Sequence, residues 1–372
     1  MFMPRASRKI AYILGAGFSY GSNHSAPVGR HRVHMPLQFT LFEELCRFHY
    51  RKINRLDRLA KAIRQYFSPN TYRATRGKGS SRHRDLFGLS VEEVVTFCDE
   101  IVTNKGEEES REIQSAANEL QELTVELISY LSTNGRPGQN RLLRQFAQRL
   151  AHTDVIITFN WDTLFDQVRA NVKRPTWNPS WGYGSTVRRE FRYARRQEWR
   201  IPQKYPRLLK LHGSINWTAS DNHGGANRVL EKGWHPHEKY GDVVMMPPKM
   251  IKPEVWGRQE VKDTSADLGG NSRVSSDFYP RLWSEAEKQL SLCRRLVFVG
   301  YSFPPADFAV NNMLRRAISI RKVSTGKFPS VDIVDPNSAD LARRFEQSFK
   351  IAVPVENRYL SLGNYLSSKR AK

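Results

Sequence analysis

The sequence predicts an α/β protein in which helices flank a parallel sheet and a helical insertion forms a small domain. Three observations indicate this fold class. Five short apolar runs are spread along the 372 residues, and each ends in small or polar residues. A glycine-rich turn follows the first run, and residues 41–145 have helical rather than strand spacing. In an open parallel sheet the ligand lies beyond the carboxyl ends of the strands, so the polar residues that follow these runs are candidates for a site.

The first predicted strand, residues 9–14, runs directly into Gly15-Ala16-Gly17. Glycines allow a sharp turn and a close approach to a bulky group, because they carry no Cβ. The free N–H groups of a helix that begins here would point towards a phosphate. The dinucleotide fingerprint G-x-G-x-x-G is nearly matched, but Tyr20 takes the third position and Gly21 comes one residue late. On this turn alone, a nucleotide site and a tight turn without a ligand are equally good interpretations.

The part of the chain between the first and second strands is predicted to be mainly helical. Residues 22–34 are interpreted as a loop over the mouth of the site. Residues 41–67 have helical spacing with a basic opposite face, and Ser68-Pro69 ends this helix. Ser90 begins a capping box and a further helix, and an acidic helix covers residues 107–131.

Four further apolar runs are interpreted as strands: residues 155–159, 208–211, 296–299 and 331–334. They end at Asn160-Trp161-Asp162, His212-Gly213-Ser214, Gly300-Tyr301-Ser302 and Asp335-Pro336-Asn337, respectively. The long polar stretches between them, residues 176–206 and 220–280, are interpreted as surface excursions. The expected domains are a discontinuous sheet domain (residues 1–40 and 146–360), a helical small domain (residues 41–145) and a basic tail (residues 361–372).

Composition limits the classes of function. The 59 Lys and Arg residues against 37 Asp and Glu give a net charge of +22, which favours an acidic partner such as nucleic acid. The three cysteines are isolated, so we expect neither a disulfide framework nor a bound metal. No apolar run is long enough to span a membrane. We therefore expect a soluble cytoplasmic protein without a membrane partner.

The densest basic cluster leaves three interpretations open. Its members are Arg188, Arg189, Arg192, Arg195, Arg196, Arg200, Lys204 and Arg207, and aromatic residues lie between them. Aromatic side chains among cations suit single-stranded nucleic acid. An interface to an acidic protein and a solvated face explain the same residues.

Four motifs in this order together carry a family resemblance: G-A-G-F-S, F-N-W-D, K-L-H-G-S-I-N-W and V-G-Y-S-F. They resemble the sirtuin NAD-binding fold, and look most like the prokaryotic sirtuin-like NAD-hydrolase branch. The resemblance implies a Rossmann-like sheet that binds NAD+, with Asn160 and His212 as the catalytic residues. It also implies a set of residues that contact the NAD+: Gly15, Ala16, Gly17, Ser19, Asp162, Gly300, Ser302, Asp335 and Asn337.

The departures from this family favour a hydrolase. Sirtuins that deacylate proteins carry four zinc-binding cysteines in paired C-x-x-C form, and this chain has no such pair. Phe159 replaces the usual glutamine before Asn160, and Trp161 replaces the isoleucine after it. In sirtuins a Gly-Ile-Pro-Asp-Phe-Arg segment supplies an arginine to the cofactor; Pro27 and Pro36 are both candidates for its proline, so that arginine is not assigned.

The chemistry of NAD+ cleavage agrees with these residues. Nicotinamide leaves as a neutral amine, so the barrier lies in an oxocarbenium-like ribose, as in glycoside hydrolysis. The enzyme has to orient the ribose, place a water and supply a base near neutral pH. Asn160 suits the first two tasks and His212 the third. Asp162 could bind the ribose hydroxyls or stabilise nearby charge, and the sequence does not decide between these roles.

The resemblance also implies a role in anti-phage defence by NAD+ depletion. Such an enzyme needs a gate, and in related systems the partner is a HerA-type ATPase or an Argonaute, with the enzyme itself a homo-oligomer. The alternatives are a catalytically silent subunit that binds NAD+ or nucleic acid, and an NAD-dependent protein deacylase.

Overall fold

The computed structural model describes residues 9–22, 25–50, 57–58, 60–61, 88–104, 106–134, 140–173, 177–184, 187–189, 205–220, 228–231, 243–246, 277–304 and 307–368. The strands are β1 (Ile10–Leu14), β2 (Ser25–Val28), β3 (His31–His34), β4 (Val155–Thr158), β5 (Val187–Arg189), β6 (Arg207–Lys210), β7 (Gly213–Ser220), β8 (Arg228–Glu231), β9 (Val243–Met245), β10 (Arg295–Val299), β11 (Ser330–Val334) and β12 (Arg358–Tyr359). The helices are α1 (Ala16–Gly21), α2 (Leu41–Phe48), α3 (Val91–Asn104), α4 (Glu107–Asn134), α5 (Arg141–Arg149), α6 (Leu164–Ala170), α7 (Pro179–Gly182), α8 (Phe278–Ser291), α9 (Phe308–Thr325), α10 (Ser338–Phe349) and α11 (Leu362–Ser367), with a 3₁₀ turn at Val355–Asn357.

A six-stranded sheet forms the centre of the described chain, in the order β12-β11-β10-β1-β4-β6. Every neighbouring pair in it is parallel. The five strands expected from the apolar runs are confirmed, and the α/β fold class with them. Their side chains are almost continuously buried, as expected for a parallel sheet covered on both faces. The sixth strand, β12, has only two residues, so it leaves no apolar run to detect.

One hydrophobic core joins this sheet to the helices that flank it. It includes Phe146 of α5, Phe165 of α6, Leu282 of α8 and Phe345 of α10, all buried together with the strand residues. Each such side chain contributes roughly 1.5–3 kcal/mol of burial free energy. The core therefore holds the carboxyl edge of the sheet as a rigid base for the loops that follow it.

A second hydrophobic core surrounds the helices α2, α3 and α4. The predicted start of α3 is confirmed, since the Ser90 Oγ accepts a hydrogen bond from the Glu93 N–H at 3.4 Å. The predicted acidic helix is also confirmed, as α4. This core includes Ile215 and Met245 from the second half of the chain. The expected domain boundaries stay predictions. Residues 361–372 were expected to be a basic tail, and this stretch contains the helix α11 with its buried Tyr365.

Residues 22–34 were expected to form a loop, and this is wrong for most of them. The strands β2 and β3 pair as an antiparallel hairpin closed by Gly29-Arg30, with Gly29 at φ +57°. Ala26 and Val33 face each other across the hairpin and are fully buried. The Tyr130 hydroxyl of α4 donates a hydrogen bond to the Pro27 carbonyl. Tertiary contacts with the helices thus stabilise a hairpin whose own sequence is mostly polar.

One continuous helix was expected over residues 41–67, but the helix that begins at Leu41 covers only eight residues. The helix α2 ends at Phe48, and the His49 N–H bonds to the Leu45 carbonyl beyond it. The structure describes only residues 57–58 and 60–61 of the segment that follows Tyr50, and these are helical. Ser68-Pro69 lies outside the described residues.

The two polar stretches expected to be surface excursions are corrected in part. Their described segments supply β5, β8 and β9, which join β7 in a four-stranded sheet of order β5-β8-β7-β9. Trp177, Trp181 and Tyr183 are buried in the main core. Aromatic residues separated by prolines and glycines lack strand or helix periodicity, so the pattern did not reveal their burial. Among the described helices, none is long and apolar enough to cross a membrane.

Candidate functional site

The candidate site lies at the carboxyl edge of the main sheet, at the topological switch point where the strand order reverses. From β1 the chain continues to β4 and β6 on one side, whereas β10, β11 and β12 lie on the other side. In open α/β sheets the crevice at such a switch point, outside the carboxyl ends of the strands, is the usual ligand position. The predicted site residues follow β1, β4, β6, β10 and β11, so the topology brings all of them to this one edge.

The glycines after β1 and β10 are required by a contact between their two loops. The Gly15 N–H bonds to the Val299 carbonyl at 3.1 Å, and the Gly17 N–H bonds to the Gly300 carbonyl at 3.0 Å. A Cβ on Gly15 would lie 2.4 Å from the Gly300 oxygen. This packing alone explains the glycines that the sequence had associated with a phosphate. Ala16, which is exposed, and the partly exposed Gly17 leave main-chain groups at the surface of the crevice.

Three predicted residues meet in one hydrogen-bonded cluster. The Asn160 Nδ2 donates to the Gly15 carbonyl at 2.9 Å and lies 3.0 Å from the Ser19 Oγ. The Ser19 Oγ donates to the Asp162 Oδ2 at 2.8 Å. The other carboxylate oxygen of Asp162 accepts the Leu164 N–H at 3.0 Å, where α6 begins. An amide, a hydroxyl and a carboxylate are thus held together between the ends of β1 and β4.

His212 reaches the same region from the end of β6. Its ring packs between Phe159, with ring centroids 5.1 Å apart, and Trp283, at 6.2 Å. Only 8% of its surface is exposed. Its carbonyl accepts hydrogen bonds from the Trp161 Nε1 at 3.1 Å and the Met246 N–H at 2.8 Å. Segments distant in sequence therefore determine where the imidazole lies, next to the residue that precedes Asn160.

The remaining predicted residues lie on the other side of β1. Ser302 is exposed, and its carbonyl accepts a bond from Arg344 at 3.4 Å. Asp335 accepts the Asn337 N–H at 2.8 Å, which starts the turn into α10. Burial raises the pKa of Asp335, and the Asn337 N–H opposes that shift. Because β11 is three strands from β4, a ligand that reached from Asn160 to Asp335 would span about 14 Å.

A tyrosine and an aspartate close the crevice beside β10. The Tyr301 hydroxyl donates to the Asp307 Oδ2 at 2.8 Å, and its ring lies 5.1 Å from that of Phe159. Burial and the Asp307 carboxylate raise the pKa of Tyr301 well above its ordinary value. Tyr301 therefore remains a neutral hydrogen-bond donor at physiological pH.

An apolar pocket of about 40 Å³ borders the site on the side of the helices α2, α3 and α4. It is lined by Leu41, Val91, Val95, Ala117, Leu120, Gln121, Thr124, Trp161, Met245 and Met246. Trp161 and Met246 also bond to the His212 carbonyl. Two residues of the pocket wall therefore bond to the main-chain carbonyl of the predicted catalytic histidine.

The structure adds functional candidates that sequence reasoning missed. Lys210, Asp166 and Tyr183 form a fully buried polar group directly beneath the turn that carries Asn160. The position of Lys210 within a buried apolar run could have indicated a buried partner, because lysine is almost never fully buried without one. Nothing in the pattern around Tyr183 indicated its contact.

Two further predictions concern metal and nucleic acid. In the part of the chain that the structure describes, no group of three or more His, Cys, Asp or Glu side chains could hold a metal ion. Of the basic cluster, Arg192, Arg195 and Arg196 lie outside the described residues, and Arg188 is described only in its backbone, as part of β5. Binding of nucleic acid by this cluster therefore stays a prediction.

Comparison with known families agrees with the geometry of this edge. A family model described as the SIR2-like domain matches residues 154–353, which is more than half of the chain. The matched segment includes Asn160, His212, Gly300 and Asp335, whereas β1 and its glycine turn precede it. A comparison with curated proteins finds no match. The matched length and the parallel sheet together show that the chain belongs to the SIR2-like domain family.

Proposed function

We propose that this protein is an NAD+ hydrolase that cleaves NAD+ to nicotinamide and ADP-ribose. One observation carries the proposal: Asn160, Ser19 and Asp162 form a single hydrogen-bonded cluster at the carboxyl edge of the sheet. The ring of His212 packs on Phe159 beside this cluster. Membership in the SIR2-like family makes NAD+ the expected ligand of such an edge.

The residue types of the cluster fit the ribose of a dinucleotide substrate. Ribose hydroxyls are donors and acceptors, and the amide of Asn160 and the carboxylate of Asp162 complement them. The exposed residues Ala16, at the start of α1, and Ser302 lie along the same edge, where phosphates of the substrate would pass. Asp335 lies at the far end, where it could accept hydrogen bonds from the second ribose.

The reaction divides into tasks that these side chains can perform. Departure of neutral nicotinamide needs no general acid, so the demand is to stabilise an oxocarbenium-like ribose and to direct water at its open face. Asn160 orients the ribose and the water, and His212 accepts the proton of that water. The buried carboxylate of Asp162 lies close enough to Ser19 and Asn160 to stabilise positive charge that develops on the ribose.

The direct test is chromatography of NAD+ incubated with the purified protein. We expect nicotinamide and ADP-ribose from the wild type, and a loss of roughly 10²–10⁴-fold in turnover for His212→Ala, because a positioned base is removed. We expect Asn160→Ala to abolish turnover with the fold intact. His152→Ala is the matched control, since this exposed histidine lies in the turn that precedes β4 and should leave turnover unchanged. Undiminished hydrolysis by a folded His212→Ala protein would contradict the proposed mechanism.

We further propose that NAD+ depletion serves anti-phage defence and that a partner protein gates it. An ungated NAD+ hydrolase would be toxic to its own cell, so activity has to depend on assembly. A HerA-type ATPase or an Argonaute is the proposed kind of partner, acting on a homo-oligomer of this chain. NAD+ consumption should be measured for the protein alone and with its genomic neighbour. Equal consumption with and without that neighbour, before and during infection, would contradict the gate.

A further inference from the structure

A buried ion pair lies beneath the turn that carries Asn160 and Asp162. Lys210 is the last residue of β6, Asp166 lies in α6, and both side chains are fully enclosed, with exposures of 1% and 2%. The Lys210 Nζ lies 3.3 and 3.4 Å from the two carboxylate oxygens of Asp166. The same Nζ donates a hydrogen bond to the main-chain carbonyl of Asp162. The ion pair is therefore anchored to the turn itself.

Further buried groups continue this pair into a ring of polar contacts. The Tyr183 hydroxyl donates to the Asp166 carboxylate, and the Asn216 Nδ2 lies 3.4 Å from that hydroxyl. The Ser214 Oγ lies 2.6 Å from the Asn216 Oδ1 and 3.3 Å from the Trp161 carbonyl. The ring thus begins at the carbonyl of Asp162 and returns to the carbonyl of the residue before it.

Stability alone does not explain a buried charge pair at this place. Removal of two charges from water costs several kcal/mol per ion, and an apolar pair of similar volume is often as stable or more stable. The Nζ–Oδ distances are also longer than those of a strong charge-assisted hydrogen bond, about 2.7–2.9 Å. Burial raises the pKa of Asp166, whereas Lys210 and the Tyr183 hydroxyl lower it. The presence of this pair is better explained by its hydrogen bond to the main-chain carbonyl of Asp162.

We propose that Lys210 and Asp166 are positioning residues for the Asn160–Asp162 turn. Lys210 holds the carbonyl of Asp162, while the carboxylate of Asp162 binds Ser19 on one side and the Leu164 N–H on the other. With both its carbonyl and its carboxylate held, Asp162 has one orientation. Lys210 also lies two residues before His212, so one buried side chain links the ends of β4 and β6. The consequence for turnover rests on the proposed NAD+ hydrolysis.

The double variant Lys210→Met with Asp166→Leu tests this role, since it replaces both charges by apolar side chains of similar length. We expect a folded protein whose melting temperature is lower than that of the wild type, because the Asp162 carbonyl and the Tyr183 hydroxyl lose buried partners. Amide hydrogen exchange over residues 159–164 should be at least about tenfold faster, because the held carbonyl is released. The kcat for NAD+ should fall roughly 10–100-fold, since a small misplacement costs up to about 10² in rate. The KM should change less than about threefold, because the edge at Asp335 is untouched.

A second ion pair of the same sheet supplies the matched control. Arg295 of β10 lies 3.7 Å from the carboxylate of Asp332 in β11. The variant Arg295→Met with Asp332→Leu removes two charges without any change near the turn. We expect it to leave the exchange of residues 159–164 and the kcat as in the wild type.

The outcomes separate this inference from the proposed function. A wild type that does not cleave NAD+ would contradict the hydrolase, while the exchange measurement would still decide the positioning role. Unchanged exchange over residues 159–164 in the folded double variant would overturn that role, whatever its activity. Should the double variant fail to fold, Asp166→Asn keeps the side-chain shape and removes the charge beside the Lys210 Nζ. Unchanged exchange over residues 159–164 in Asp166→Asn would then overturn the inference.

Discussion

Asp162 illustrates how a residue of the candidate site also contributes to the fold. Its Oδ1 accepts the Leu164 N–H and so helps to begin α6, as an aspartate after a strand commonly does. Its Oδ2 accepts the Ser19 hydroxyl from the loop that follows β1. Both bonds fix the carboxylate at the candidate site, so a role in the fold is compatible with the predicted role in the site. Gly17 likewise packs on Gly300 and is still partly exposed at this edge.

At the residue scale, Gly300→Ala should disrupt the contact between the loops after β1 and β10. Gly300 has φ +61°, and a Cβ there would lie 2.1 Å from the Phe18 nitrogen. Gly326→Ala is the control, since Gly326 has φ +70° but no atom within 4 Å of a Cβ. Unfolding in urea should show a loss of roughly 1–2 kcal/mol for Gly326→Ala from its left-handed backbone. Gly300→Ala should lose about 1–3 kcal/mol more, because of the steric contact.

Equal losses in these two variants would contradict that assignment. They would mean that the loop after β1 moves aside at no cost, and that the glycines are not required by packing.

At the scale of elements, the two ends of β4 have different roles. The carboxyl end presents Asn160 and Asp162, whereas the amino end begins just after Asp154, which is buried. The Asp154 carboxylate accepts the Ile10 N–H at 3.1 Å and the Ala151 N–H at 2.8 Å. It therefore joins β1 to the turn that precedes β4, on the edge of the sheet opposite to the site.

The stability of this junction should depend on pH through Asp154. Burial raises the pKa of Asp154 from 3.8 to about 6, although the two N–H donors lower it. Between these two values the folded state binds more protons than the unfolded state, so the contribution of this group to stability falls as pH rises from about 4 to about 6. Asp154→Asn removes the titration. The free energy of unfolding of the wild type relative to the variant should fall by up to about 3 kcal/mol over that range.

Urea unfolding of both proteins at several pH values measures this difference. A wild-type advantage that is constant, or that grows with pH, would show that the N–H donors outweigh burial and keep the carboxylate ionised.

At the scale of the whole molecule, the helices α2, α3 and α4 are connected to the site through their hydrophobic core. That core includes Leu164, at the start of α6, and Ile215, in β7. Trp161 packs against it and bonds to the His212 carbonyl. Trp161 therefore contacts both the core of these helices and the predicted catalytic histidine.

The net charge of +22 is also a property of the whole molecule, and it led to the prediction that the basic cluster binds nucleic acid. If Arg192, Arg195 and Arg196 bind nucleic acid, the triple change to Glu should weaken binding equally for all sequences, because phosphate contacts carry no base information. Wild-type affinity should also fall steeply with salt, since bound phosphates release counterions. A fluorescence binding assay at several salt concentrations measures both effects.

Charge reversal at Arg141, Arg144 and Lys327 is the matched control, because all three are exposed cations outside the cluster. Equal weakening in both triple variants would indicate a general charge effect. Lost assembly in size-exclusion chromatography, with nucleic-acid binding retained, would identify the cluster as a protein interface instead.

The sequence by itself determined the main strands and the residues at their carboxyl ends. An apolar run that stops at a polar residue records where the chain leaves the core, and this is local information. The five strands, Asn160, Asp162 and His212 could therefore be placed at one edge, and the four motifs indicated the family, in agreement with the match over residues 154–353. The roles of these residues in catalysis stay predictions.

Only the tertiary structure decided which residues meet. The order β12-β11-β10-β1-β4-β6, the sheet formed by β5, β7, β8 and β9, and the hairpin at β2 and β3 all depend on pairing between distant segments. Lys210 and Asp166 are 44 residues apart, and each alone resembles an ordinary surface charge. A single sequence reports the burial tendency of each residue but not its neighbours, because contacts across a core are set by packing of the whole chain.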